Sequence, residues 1–315
     1  MPWSSGHPEA RPYSAAAPHG LYDIVSGPFR PSRILGVSRL AVYLEVEDHR
    51  GAAVIALLAR GAVRLPNGMV LADTQSVGPF ADVAEATSVR IGRCSVVFGG
   101  RTGPRTVHVG RWWRPRVPRP PRSARQVASA AADLATGLAD AAGGLPPADA
   151  AILDTDLTEP GQASRACSRL IGLGPGLTPS GDDLVCGFLL AARHFGGPHT
   201  ALAEAAMHRA ATATPKLSAS LIGYAARGEG CPEVIDLLDA ISGHLPLGPA
   251  LAALRAIGHT SGTDLALGVL AGVRAALSRS ADGTAHSPPT GRAHSRPSGS
   301  SRAIHPAPDD QKEYP

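Results

Sequence analysis

The chain has 315 residues, 43% hydrophobic and 4% aromatic, with a formal net charge of +4. That is enough apolar material for two ordinary domains with cores of Ala, Leu, Val and Ile. No run approaches the roughly 18 uninterrupted apolar residues of a membrane span, and no basic start followed by an apolar stretch marks a signal peptide, so a cytoplasmic protein is expected.

In chain order, residues 1–29 read as a disordered lead-in. Between 30 and 112, RLAVYLEVED, AAVIALLAR, AVRLPNGMVLAD, SVRIGRCSVVFGG and RTVHVGRWW are short, Val/Ile-rich and broken by turn residues. They predict five or six strands in a small β-barrel or sandwich, with a hairpin turn at Pro66-Asn67-Gly68. Residues 113–125 form a Pro/Arg linker. Ten arginines and no carboxylate lie between Glu85 and Asp133, but 28 arginines against two lysines indicate compositional bias. A solvated linker is therefore favoured over a nucleic-acid surface. From Ser123 the period turns helical, and a first helix is expected to stop at Gly143-Gly144. Further helices fit 161–171, 180–195, 199–212, 215–228, 232–242, 247–257 and 261–279. The α-helical domain is placed at 126–279 and a disordered Ser/Pro/Gly/His-rich tail at 280–315. The fold class is α+β: an N-terminal barrel or sandwich, then a C-terminal helical bundle. The cysteines at 94, 167, 186 and 231 show neither CxxC nor zinc spacing, and each reads as a small buried hydrophobe.

The most informative feature is an internal repeat. SGDDLVCGFL at 180–189 and SGTDLALGVL at 261–270 share six of ten positions at a constant offset of 81. Each copy reads as a helix N-terminus, with Ser180 and Ser261 as caps and Asp183 and Asp264 in the capping-box place. Gly187 and Gly268 cost helix stability, so their matched positions predict two helices crossing closely there. The first copy follows GLGPGLTP, more glycine than a cap needs. Gly174, Gly176 and Thr178, with Gly181 and Gly262 in the helix starts, therefore predict backbone amides wrapped around an anion. Asp182, which has Thr263 as its counterpart, is expected to face the ligand, while Asp183 caps.

Thr214 and Pro215 predict another helix start, with Ser218 and Lys216 in its first turn. A cation there is disfavoured by the helix dipole unless an anion faces it. Lys216 is also the only lysine before position 312. His259 and Thr260 precede the second copy and stand ready to polarise a carbonyl. Lys216, His259 and Asp182 are the catalytic candidates. Substrate binding is assigned to Gly174, Gly176, Thr178, Ser180, Gly181, Asp183, Thr214, Ser218, Thr260, Ser261, Gly262 and Asp264.

GLGPGLTPSGDDLVCGFLLA, TPKLSASLIGYAARGE and GHTSGTDLALGVLAGV resemble the signature stretches of the AllH family, which includes a subunit of the heteromeric oxamate carbamoyltransferase of allantoin (purine) breakdown. The resemblance implies carbamoyl transfer between oxalurate and phosphate on one side and oxamate and carbamoyl phosphate on the other. It also implies partner subunits and a small anionic carboxamide or phosphate substrate. The SxRTR phosphate loop of aspartate and ornithine carbamoyltransferases is absent. As an alternative, Asp182, Asp183 and Asp264 could hold Mg as cofactor, since SGTDLALGVLAGV faintly resembles the magnesium-dependent ADP-ribosylglycohydrolases. A non-catalytic ligand-binding or scaffold subunit is a third reading.

Overall fold

A computed structural model describes residues 13–285, except 49–50, 73–78, 81–82, 84–85, 87 and 100–103. The outer parts of both expected disordered tails, 1–12 and 286–315, lie outside the described residues. The inner parts are ordered, contrary to expectation. Residues 13–29 hold strand β1 (Tyr13–Pro18), a 3-10 turn at His19–Leu21 and helix α1 (Tyr22–Ser26). β1 shows no bulky alternation because its inward residues are Ala15 and Ala17. It is a strand because β5 and β8 supply partners for its backbone.

The other strands are β2 (Arg30–Val37), β3 (Ala41–Asp48), β4 (Gly51–Leu58), β5 (Gly68–Leu71), β6 (Ser88–Gly92), β7 (Ser95–Gly99) and β8 (Arg105–Trp113). They close a barrel in the order β1-β5-β4-β3-β2-β6-β7-β8, sealed by the parallel β1–β8 pair. Two turn readings change. SVRIGRCSVVFGG is two strands, since Arg93 and Cys94 take positive φ (51° and 57°) in the tight turn between β6 and β7. Such hairpin turns need left-handed residues, usually Gly or Asn, so Arg-Cys gave no signal. Pro66-Asn67-Gly68 makes no hairpin, because β5 runs parallel to β4. Asn67 is instead fully buried and donates to the Val54 carbonyl at 3.0 Å.

Strand alternation decides what faces the helices. On β3, Val42, Leu44 and Val46 enter the barrel core, leaving Tyr43 and Glu45 on the opposite face. On β4, Ile55 and Leu57 point inward while Ala56 and Leu58 build a smaller outer cluster with Ala41 and Tyr43. A strand apolar on both faces must be covered on both, and the helical half covers this one.

That half comprises α2 (Ala124–Gly137), α3 (Pro147–Ala150), a 3-10 turn at Ala151–Asp154, α4 (Pro160–Leu170), α5 (Ser180–Phe195), α6 (Thr200–Ala213), α7 (Lys216–Ala226), α8 (Pro232–Ile241), α9 (Leu247–Arg255) and α10 (Ser261–Ala285). α10 runs past the expected boundary at 279. α2 stops short of Gly143-Gly144, which do other work described below. α5 is buried on every side from Ser180 to Ala192 and is the central helix. The connector is anchored rather than freely solvated. Arg116 pairs with Asp236 at 2.8 Å and Asp239 at 2.9 Å, and the Arg119 amide donates to Asp239 at 2.7 Å. Among the described residues, no helix is long and apolar enough to cross a membrane.

Candidate functional site

The two repeat copies meet. α5 and α10 pack along each other, and a Cβ at Gly187 would collide with the Leu265 carbonyl while one at Gly268 would collide with the Leu184 carbonyl. These contacts are reciprocal at the repeat offset, as an approximate two-fold relation requires. Each preceding helix is held equally close, Gly181 against the Leu170 carbonyl and Gly262 against Leu254. With no room for side chains at the crossings, both N-termini arrive on one side. There Thr178 Oγ1 lies 3.4 Å from Ser261 Oγ, and Ser180 Oγ lies 3.4 Å from Thr260 Oγ1.

The serines do not cap. α5 starts at Ser180 itself, with Pro179 as cap residue and no side-chain cap bond. Pro179 fixes the turn and accepts from the Asp182 and Asp183 amides, as Thr260 does from Asp264. The serine hydroxyls thus face the threonines of the opposite copy, Ser180 toward Thr260 and Ser261 toward Thr178. The start of α7 shifts likewise: Pro215 is the cap residue, and Thr214 Oγ1 donates to Asp182 instead.

The expected roles of the adjacent aspartates reverse. Asp182 is fully buried and accepts from the Gly172 amide at 2.7 Å, from Ser218 Oγ at 2.6 Å and from Thr214 Oγ1. It ties the glycine loop and α7 to α5, and every oxygen is occupied. Asp183 is 7% exposed, and its Oδ2 is buried without a hydrogen-bond partner among the described residues. Burial pushes its carboxyl up to about 8; the Ser261 hydrogen bond opposes this, and the Asp264 and Asp182 charges add to it. Asp264 is 1% exposed; its Oδ1 accepts from the Gly144 amide at 2.8 Å, and its Oδ2 is likewise without a partner among the described residues. Because Asp182 turns to Gly172 and α7 while Asp264 turns to Gly144, the three carboxylates do not fit a shared cation. Among the described residues no group of three or more His, Cys, Asp or Glu is placed to hold a metal.

Gly143 and Gly144 were missed as site residues. A Cβ at Gly144 would strike Ser180 Oγ, and one at Gly143 would approach Asp264 Oδ1 to 2.7 Å. The signal was a double glycine, read only as a helix stop.

The glycine loop does need its glycines: Gly172, Gly174 and Gly176 have φ of 83°, 113° and 96°. Of the amides expected to hold an anion, those in the two helix starts are spent on the fold itself. Gly181 donates to Leu173, Asp182 and Asp183 to Pro179, Gly262 to Ile257 and Asp264 to Thr260. Lys216 Nζ pairs with Glu45 of β3, which also receives Arg33 Nη2 at 2.6 Å. Hydrogen bonds from Lys216 and Arg33 hold the Glu45 carboxyl below its ordinary range against its burial. Lys216 therefore pins the barrel to α7 at the side of the site. His259 is exposed beside the second helix start.

Thr178, Asp183 and Ser261 open onto a cavity of about 360 Å³ between the two halves. Its barrel wall includes Leu40, Tyr43 and Leu58, and its helical wall includes Leu190, Leu217 and Leu221. Cys186 and Cys231 line it too, but burial pushes both thiols up, Cys231 to about 12, as suits small apolar fillers rather than nucleophiles. The barrel thus supplies a wall of the site, which the repeat could not announce.

The family described as Oxamate carbamoyltransferase subunit AllH matches residues 170–273, from the end of α4 into α10. The matched span contains the glycine loop, both helix starts and α7, and leaves the barrel outside. No solved structure matches the chain.

Proposed function

We propose, from the premise that residues 170–273 form an AllH-family region, that this chain is one subunit of a carbamoyltransferase-type enzyme. Its cavity takes the carbamoyl or carboxamide end of the substrate. In that chemistry the bond between the carbamoyl carbon and an amide nitrogen breaks, a bond to a phosphate oxygen forms, and the phosphate's proton passes to the departing nitrogen. The observation that carries the reading is the meeting of Thr178, Asp183 and Ser261 at the cavity edge. A carboxyl that keeps its proton to about pH 8 donates a hydrogen bond to the carbamoyl oxygen. Hydroxyls, which both donate and accept, orient the amide. Asp182, Thr214 and Ser218 position this edge, and Lys216 holds the barrel wall against it.

The test is to co-express the chain with candidate partner subunits of a carbamoyltransferase of this type and follow carbamoyl phosphate formed from a ureido acid and phosphate. Asp183→Ala should lower the rate about 10²-fold or more at unchanged assembly. A complex that turns over equally well with Asp183→Ala and Ser261→Ala would refute the assignment.

A further inference from the structure

We infer that the cavity selects an uncharged amide or ureido head joined to an aliphatic body, rather than oxamate or another small anion. The inference rests on this cavity being the substrate site; it does not depend on the reaction. Three observations meet here. At about 360 Å³, the space would hold roughly a dozen waters at ~30 Å³ each, far more than the smallest carboxamide acids fill. Its walls are mainly apolar, with leucines from Leu40 and Leu58 on the barrel to Leu190, Leu217, Leu221 and Leu265 on the helices. Among the described residues lining it there is no lysine, arginine or histidine, whereas Asp183 and Glu229 are present. An anion buried there would lose water with no cation to compensate.

The polar groups sit where an amide could use them. Asp183 is more than nine-tenths buried and has an oxygen without a partner among the described residues. A protonated carboxyl and a primary amide are complementary: the carboxyl O–H donates to the amide oxygen, and the amide N–H donates back to the carboxyl oxygen. A carboxylate ligand of the same shape offers no N–H and brings a charge. With the head held by Asp183, Thr178 and Ser261, the body lies against the leucines.

Calorimetry on the full chain with defined probes decides this. At about pH 6.5, 4-methylpentanamide should bind at least about tenfold more tightly than oxamate, since each buried methylene adds affinity. The isosteric acid 4-methylpentanoate should bind at least about tenfold more weakly than the amide. Raising the pH to about 9.5 should weaken amide binding to wild type, because burial holds the Asp183 proton only to about pH 8, and should leave the Asp183→Asn variant unchanged. Leu221→Trp should abolish binding by filling the cavity; if that variant fails to fold, Leu65→Trp on the barrel wall replaces it. Oxamate or the acid binding as well as the amide, no amide binding at all, or binding indifferent to the tryptophan would overturn the inference. Isolated-chain binding needs no turnover. Carbamoyl transfer lost while amide binding persists would therefore strike the reaction alone, and the converse would strike the substrate shape alone.

Discussion

Asp182 and Asp183 are neighbours on α5 that serve different parts of the molecule: Asp182 accepts three hydrogen bonds from the glycine loop and α7, whereas Asp183 borders the cavity with an oxygen left without a partner among the described residues. One residue of separation turns a helix side chain by about 100°, enough to give one carboxylate to the scaffold and the other to the site.

Asp182→Ala should therefore be a stability mutation. It strands the Gly172 amide and the Thr214 and Ser218 hydroxyls. Hydrogen bonds to a buried charge are worth about 1.5–3 kcal/mol each, and they are not additive. A loss of roughly 3 kcal/mol or more is expected by urea denaturation; a loss below about 1 kcal/mol would contradict the hub role.

Asp183 should make stability fall as pH rises. Below the unfolded value near 3.9 both states are protonated. From there to about 8 the folded chain keeps a proton that the unfolded chain has lost, and above that the decrement is complete. Asp183→Asn removes this dependence. Its urea midpoint should match wild type at about pH 4 and exceed it at about pH 8.5, by an amount on the order of a few kcal/mol. Parallel pH profiles for the two proteins would show that Asp183 ionises freely in the fold.

The α5–α10 crossing depends on missing side chains. Gly187→Ala and Gly268→Ala each place a methyl on a facing carbonyl and should cost about 1–3 kcal/mol or more through overpacking. Gly223→Ala in the middle of α7 meets only the end of Arg227 at 3.8 Å and should gain roughly 0.5–1 kcal/mol from helix propensity. Thermal melts of the three variants check the contrast, which fails if all three move together.

The connector should behave as a strap. Burial pushes Asp239 up, but the Arg119 amide and side chain, with Arg116, outweigh it and hold the carboxyl below its ordinary range. That contribution is present at neutral pH and is lost as pH falls through the lowered value. Asp239→Asn should release the segment and speed tryptic cleavage after Arg116 and Arg122, about tenfold for each 1.4 kcal/mol of local stability lost. Unchanged cleavage would mean that the ion pairs contribute nothing to holding it.

Much of the fold is legible in local sequence pattern. Helical and strand periods separate its halves near the Arg/Pro connector. The repeat at offset 81, with glycines at 187 and 268, foretold two helices in close contact with adjoining N-termini, because a helix carries matched glycines at a cost only where another backbone needs the space. Tertiary contacts set the direction of each candidate side chain and the identity of its neighbours. Ser180 reads as a cap until Pro179 is seen to occupy that place. Asp182 reads as a ligand residue until Thr214 and Ser218, more than 30 positions away, close on it. β1 looks like a lead-in until β8 pairs with it, and the cavity exists only because the outer face of β3 and β4 lies against α7. Local pattern reports what a residue type favours, whereas burial, pairing and proton affinity are set by atoms distant in the chain.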